Sequence, residues 1–466
     1  MKRIAIIGGG ISGLAAAFAL EKYRRSGVEL DYGLFEASSH LGGVLRTEHV
    51  DGCLIEAGPD SFLTEKPWAS DLCREIGLGN QLIGSNDRDR KTYILVNGRL
   101  VPIPDGLMFM VPTKILPILW SPLFSPGAKF RMMQEWFHPP KKSAEDESVE
   151  SFVDRHYGPE MVDRLADPLL SGVYGGQASQ LSLRSVLPRF AEMEARHGSL
   201  GRAMLSARRK MPKPAAAKPL FTSLKDGMQQ MVDVVVSKLT PSALHANTPV
   251  QAVQRQDAGW LISAGYASDQ FDAVIIAPSA LDAAKLGLPD KLSSLLSGIE
   301  YTSSVTIALA YDQRVRQSLP PGFGFLVPRS EGRRLLAVTF VHNKFPHRAP
   351  ENRALLRCFL GSARDKTLLD VPDEELLSVV RRELHSILNL TAEPLFARVY
   401  KWKDAMAQYN VGHIERIQAI ELACRELPSL ALAGNAYHGI GVPDCVRTGT
   451  EAASSVLKSL GLLSPQ

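Results

Sequence analysis

Three glycines, Gly8, Gly10 and Gly13, stand close to the start of the chain, and an acid, Glu36, follows some twenty residues later. In a strand-to-helix turn this pattern binds a dinucleotide. Gly8 permits the tight turn, Gly10 lets the backbone approach a pyrophosphate, and Gly13 lets the helix pack close on the strand. The helix that Gly9, Ile11 and Ser12 lead into offers free N–H groups and a partial positive charge at its N-terminus to the phosphates. Glu36, with Ala37 beside it, can accept a hydrogen bond from a ribose hydroxyl, and its charge argues against a 2′-phosphate and so against NADP.

Those residues need three elements to hold them. Ile4 to Ile7 form a short apolar run, which predicts a buried strand over Lys2–Ile7. Leu14–Tyr23 reads as a helix, and Leu30–Phe35 as a second strand ending on the acid. A second glycine corner follows in Leu41-Gly42-Gly43-Val44-Leu45-Arg46-Thr47. Its doublet allows close backbone approach, and Arg46 places a fixed cation near phosphate. Gly58-Pro59-Asp60-Ser61-Phe62 ends a strand in a turn. Far away, Leu430 to Cys445 repeats the theme: a strand meets Gly434 and Asn435, then Gly439, Ile440, Gly441 and Val442 lead into a helix, a suitable place for an anion or a flat ring.

The Gly-Gly-Val-Leu-Arg continuation resembles that of the flavin-binding amine oxidase superfamily, and other stretches resemble the protoporphyrinogen oxidases within it. These stretches are Gly439 to Cys445, Gly322 to Pro328, Phe345 to Pro350 with Cys358 to Gly361, Ser171 to Gly176, and Gly58 to Phe62, in consistent order nearly end to end. The resemblance implies oxidation of a porphyrinogen by non-covalent FAD and molecular oxygen, removing six electrons and giving three hydrogen peroxide. It places FAD on Gly8–Gly13, Glu36, Ala37, Gly43, Val44, Arg46, Gly58, Pro59, Asp60, Ser61, Val250, Gly434, Asn435 and Ile440–Val442. The substrate falls on Gly175, Leu326 and Phe359, with Phe323, Gly324, Lys91 and Thr92 beside them. Aliphatic and aromatic walls with glycines suit a large flat macrocycle. No general base is required, because the cofactor accepts a hydride from a bridging carbon and the pyrrole N–H protons leave to solvent.

Three positions depart from the family pattern. Thr92, with Lys91 and Arg90 adjacent, stands where plant and animal members have a propionate-pairing Arg; Val44 replaces a Trp; Ala407 replaces a proline. Protoporphyrinogen IX is the expected substrate and coproporphyrinogen III, with four propionates against two, its rival. An amine oxidase or carotenoid desaturase is a more distant enzyme reading, and a flavin-bound scaffold a non-enzymatic one.

At 466 residues the chain exceeds one ordinary core. The resemblance implies an α/β, mixed α+β architecture: a Rossmann-like FAD-binding domain (1–65, 206–285, 406–466), a mixed-sheet substrate domain (66–90, 286–405) and a helical membrane-binding domain (91–205). A net charge of +4 does not suggest a nucleic-acid binder. Five scattered cysteines without a C-x-x-C pair fit a reducing compartment and speak against zinc or a disulfide framework. The strand at the start leaves no room for a signal peptide.

Further along, Pro67–Ile76 reads as a helix, Asn97-Gly98 as a hairpin turn, and Asp272–Ala277 as a return to the parallel sheet. Arg196–Pro219 reads as a basic, exposed loop. Leu107–Phe124, within the apolar stretch Leu107–Met133, is too short and too broken by prolines to span a bilayer as one helix. Two readings stand for the whole stretch, a buried helical core and an amphipathic surface facing a membrane. The expected location is cytoplasmic, peripheral on the inner face of the cell membrane. The expected partners are the porphyrinogen, O2, the membrane surface, a ferrochelatase-like haem-pathway enzyme and a second copy of the chain.

Overall fold

The computed structural model describes residues 1–108, 110–141, 145–210, 218–257, 259–361 and 367–464. The chain divides into two compact units. The first comprises 1–85, 218–300 and 415–466; the second comprises 86–217 and 301–414. Residues 66–85 and 286–300 thus cluster with the nucleotide-binding segments rather than with the substrate segments, and 91–205 clusters with the substrate sheet.

The first unit is built on a five-stranded parallel sheet in the order Leu244–His245, Leu30–Phe35, Lys2–Ile7, Ala273–Ile276, Leu430–Leu432. The central strands are apolar because both faces are covered. Ile4, Ile6 and Ile275 pack with Leu14, Val232, Val446 and Val456, which come from the helices Ile11–Arg25, Gln229–Lys238 and Val442–Ser459. The antiparallel meander Val250–Gln256, Gly259–Ala264, Ala267–Phe271 returns Phe271 edge-on to Phe35, 5.9 Å between centroids. The expected return strand is therefore real: Ala273–Ile276 lies beside Lys2–Ile7 with Ile4 opposite Ala273.

A buried ion cluster ties the first helix to its sheet. Glu21, 1% exposed, accepts hydrogen bonds from Arg24, from Arg25 at 2.8 Å and from the Tyr32 hydroxyl at 2.9 Å. Burial pushes its carboxyl pKa upward, but the bonds from Arg24, Arg25 and Tyr32 together outweigh burial and hold it at about 2, below the usual 4.5. The lowered value stabilises the fold fully above pH 4.5, and that contribution disappears as pH falls toward 2. It amounts to on the order of 3 kcal/mol. Glu21→Gln should therefore cost stability at pH 7, and the gap from wild type should close between pH 4.5 and 2 in urea melts. A gap independent of pH would refute this account.

The second unit holds a seven-stranded mixed sheet. Its order is Phe396–Ala407, Tyr301–Asp312, Arg353–Leu360, Leu335–Phe340, Gly324–Leu326, Thr92–Val96, Arg99–Pro102. The last two form the hairpin turned at Asn97-Gly98, where both residues have positive φ. One face packs Val305, Ile307, Leu309 and Cys358 against Leu376, Val380 and Leu384 of the helix Asp373–Leu388. At the hairpin end the other face meets a helical cluster through Ile94 and Leu326.

The helical region corrects one expectation. Within 196–219, residues Leu200–Lys210 form a helix, because Leu200 and Met204 lie on one face and pack on that cluster. Residues 211–217 and the side chains of Arg208 to Lys210 lie outside the described residues. Leu107–Met133 is neither purely core nor purely surface. Its prolines split it into a short hairpin and the helices Ile115–Trp120 and Pro126–Gln134. Ile118, Leu123, Phe124 and Met132 are buried, whereas Leu116 is 70% and Trp120 87% exposed. Among the described residues, no helix is long and apolar enough to cross a membrane.

Candidate cofactor and substrate sites

In the first unit the two glycine corners converge at the carboxyl ends of the parallel strands, where open α/β sheets bind ligands. Consecutive backbone bonds mark that rim: Gly8 N to Phe35 O, Ala277 N to Ile7 O, and Ala433 N to Ile276 O, each 2.8 or 2.9 Å. Gly8 leaves its strand with φ +96°, and a Cβ there would lie 2.8 Å from Pro278 N. Gly434 sits next along, 3.7 Å from Pro278 O by the same measure.

The turn itself is tightly drawn. A Cβ on Gly13 would stand 1.9 Å from the Gly8 carbonyl oxygen, so only glycine lets this helix start so near the strand. Gly10, by contrast, has ordinary extended geometry (φ −67°, ψ 175°), and a Cβ on it would meet nothing within 4 Å. That open ground lies in front of the helix N-terminus, whose cap carries no side-chain bond. Space that a Cβ could fill, beside free backbone donors, fits a diphosphate.

Glu36, expected at a ribose, is held in place by backbone N–H groups. Its Oε2 accepts from Gly9 N at 2.7 Å and its Oε1 from Ser38 N at 2.8 Å. A carboxylate offers about four acceptor positions, which leaves room for ribose hydroxyls. Ala37 is exposed beside it. Asn247 N and Thr248 N bond to Ser38 O and Glu36 O, and so bring half-buried Val250 to the same rim.

The second corner docks on the first. Gly42 N donates to Gly9 O at 2.7 Å, and Gly43 lies against Gly10, 3.3 Å from its Cα to a built Cβ. Gly58 runs so close to Val44 that a Cβ would stand 1.9 Å from Val44 O. Pro59, Asp60 and Ser61 follow, with Ser61 Oγ on Asp60 Oδ1 at 2.7 Å and Asp60 O accepting from Ser223. Arg46 is half-exposed and pairs with Glu48 at 3.2 Å. The closing helix starts at Gly441 and Val442 and passes over the first: a Cβ on Gly449 would lie 2.1 Å from Ser12 O. Asn435 and Ile440 stand in the intervening loop, partly exposed.

Two groups here were not anticipated. Glu56, 3% exposed, accepts from Thr47 Oγ1 and from Met228 N, both at 2.8 Å, and so fixes the second corner to the helix Gln229–Lys238. Asp444 pairs with Lys66 at 2.6 Å and anchors the last helix. An acid closing the apolar strand Cys53–Glu56 was the available signal for the first.

In the second unit the expected substrate residues share one face. Thr92 pairs with Gly324, and Leu326 with Ala337, which pairs in turn with Phe359. Cross-strand partners point the same way. Gly175 caps the helix Asp167–Tyr174 with φ +63°, and a Cβ there would be 2.8 Å from Thr302 Oγ1. Phe323 is buried, and its N donates to Lys91 O at 2.7 Å; the Lys91 side chain is exposed. The rest of the helical cluster contains a polar knot that invites a metal reading: His138, His156 and Glu194 offer ligand atoms within 4.8 Å. The Arg155 guanidinium already bonds Glu194 and Glu147, and the His138 and His156 rings stack at 4.3 Å. A cation is thus built into the knot, and no metal is assigned.

Comparison with known proteins supplies the family. The model of flavin containing amine oxidoreductases matches residues 11–457. A Bacillus subtilis protein named coproporphyrinogen III oxidase is 34% identical, with 98% of each chain covered. Mitochondrial protoporphyrinogen oxidase of tobacco, Nicotiana tabacum, is 30% identical over 99% of this chain and 96% of its own. A crystal structure from an Exiguobacterium species, provisionally described as a protoporphyrinogen oxidase, superimposes with a TM-score of 0.88 at 31% identity, covering 99% of both chains. The chain therefore belongs to the flavin containing amine oxidoreductase family, as an oxidoreductase whose cofactor is FAD.

Proposed function

We propose that this protein oxidises a porphyrinogen to the porphyrin in haem biosynthesis. The observation that supports it most is that Gly324, Leu326 and Phe359 share one sheet face, whose glycine, aliphatic and aromatic positions suit a macrocycle. Bound FAD supplies a two-electron acceptor for hydrogen removed from a bridging carbon. The chain's own part is to hold the ring flat against this wall and keep water from it. The residues proposed to hold FAD are those of the rim: Gly8 to Gly13, Glu36 and Ala37, Gly43, Val44 and Arg46, Gly58 to Ser61, Val250, Gly434, Asn435 and Ile440 to Val442. O2 is the proposed final acceptor, returning hydrogen peroxide.

Protoporphyrinogen IX is the substrate expected from the resemblance. Coproporphyrinogen III is the second reading, favoured by the names of the Bacillus and Staphylococcus aureus relatives. Anaerobic addition of each porphyrinogen to the holoprotein tests both. Bleaching of the flavin band is the expected result; a flavin left oxidised by both substrates would end the proposal.

The proposed location is the cytoplasmic face of the membrane, and the surface that supports it is the exposed apolar set Leu116, Trp120, Phe130 and Phe137 with Lys129 and Arg131 nearby. A ferrochelatase-like enzyme and a second copy of the chain are the other proposed partners. Sedimentation with anionic vesicles should carry the wild type down and leave Trp120→Ala/Phe137→Ala in solution. Equal sedimentation of both would refute the membrane reading.

A further inference from the structure

One ion pair ties together two of the segments proposed to hold FAD. Lys66 follows the corner Gly58–Ser61 and the strand Phe62–Leu63. Its Nζ lies 2.6 Å from Oδ2 of Asp444, in the first turn of the closing helix Val442–Ser459. The Asp444 side chain is 4% exposed and that of Lys66 36%.

The Asp444 carboxylate also fills the space beside the loop that leads into this helix. A Cβ on Gly439, where φ is +124°, would lie 2.3 Å from Asp444 Cγ, and one on Gly441 would lie 3.2 Å from Oδ2. The loop from Gly439 to Gly441 therefore rests on the carboxylate, and glycine at 439 is what permits the contact. Arg447 holds the loop as well, donating from Nη2 to His438 O at 2.8 Å, but its charge is met by Glu451 at 2.9 Å. A nearly buried carboxylate needs a counter-charge. The Lys66 ammonium provides it, and the helix N-terminus adds to it.

Strand order gives the direction in which the cofactor crosses the rim. Glu36 follows Leu30–Phe35, the Gly8 to Gly13 turn follows the neighbouring Lys2–Ile7, Pro278 comes after the next strand, Ala273–Ile276, and Gly434 after the edge strand Leu430–Leu432. FAD strings adenosine, diphosphate, ribityl chain and ring in that order. With a ribose at Glu36 and the diphosphate at Gly10, the ring end runs toward Gly434 and the loop Gly439 to Val442.

We propose that the Lys66–Asp444 pair positions this loop against the flavin ring and sets the charge that the ring meets there, and so tunes its reduction potential. The proposal rests on the assignment of Gly58 to Ser61 and Ile440 to Val442 to FAD. Neither residue touches the reacting atoms, so both are positioning residues. The reduced ring carries more negative charge than the oxidised ring. A charge left unpaired on one partner thus shifts the balance between the two forms, with opposite sign for the two partners.

The test measures the reduction potential of the FAD-loaded wild type, Lys66→Met, Asp444→Asn and the double variant by equilibration with a redox dye. Lys66→Met leaves an unpaired carboxylate. It should weaken binding of reduced relative to oxidised flavin about tenfold, a fall of about 30 mV for a two-electron couple. Asp444→Asn leaves an unpaired ammonium and should shift the ratio the other way by about threefold, the smaller effect because Lys66 reaches solvent. The double variant, neutral again, should return toward the wild-type value. A pair that only braced the fold would weaken flavin binding in both single variants without opposed shifts. Shifts of one sign, or none, overturn the proposal. If a single variant emerges without flavin, the double variant decides: regained flavin colour supports the charge pairing, and continued loss overturns it. Wild type that binds no flavin would instead remove the underlying assignment.

Discussion

Gly10→Val is expected to yield a folded protein without flavin colour. A Cβ at Gly10 meets no atom within 4 Å, and its backbone lies in a region open to any residue, so the chain accepts the branch point of the new side chain without strain. The added isopropyl group occupies the ground before the helix N-terminus where the diphosphate is proposed to lie. Losing several backbone hydrogen bonds to that group removes roughly 3 kcal/mol or more, which lowers flavin affinity at least about a hundredfold. Circular dichroism and the thermal midpoint of the flavin-free protein should match those of flavin-stripped wild type, while absorbance near the flavin band is lost. A variant that kept its flavin would show that the cofactor does not use this turn.

Gly13→Ala should fail in the opposite way. Here a Cβ would stand 1.9 Å from the Gly8 carbonyl oxygen, a backbone atom that cannot swing aside. The helix must move off the strand, in the middle of a core in which Ile4, Ile6 and Leu14 are fully buried. Overpacking of this kind costs about 3 kcal/mol, which in a chain of this size lowers the melting temperature by roughly 3 °C. The flavin-stripped protein should show the loss as well, because the clash is internal. An unchanged melting temperature in the stripped variant would mean that the strand and helix are not packed as described. The two substitutions, three residues apart in one turn, thus separate what glycine does for a ligand from what it does for the fold.

The same contrast runs through the rest of the molecule. Wherever neighbours in sequence are neighbours in space, the residues announced the structure. The strand, turn, helix and strand from Lys2 to Phe35 form one local unit, in which the fold itself requires glycine at Gly8 and Gly13. Asn97-Gly98 turns a hairpin because both positions require positive φ. The apolar run at Ala273–Ile276 could only be a strand buried on both faces.

Other features came from contacts between distant parts of the chain. Leu200–Lys210 looked like loop because its basic residues dominate its composition, and only its packing on the helical cluster made it a helix. Glu36 carried a nucleotide signal, yet its bond to Gly9 N is visible only once strand and turn are assembled. Glu56 finds its partner 172 residues away.

By itself, then, the sequence determined the nucleotide-binding unit, the flavin family and the class of chemistry, because short-range spacing sets turns, strand burial and helix starts. Tertiary structure alone decided which side chains share the sheet face of Leu326 and Phe359. These two belong to different strands with a third between them, and the side on which each points depends on strand register, which no local pattern encodes.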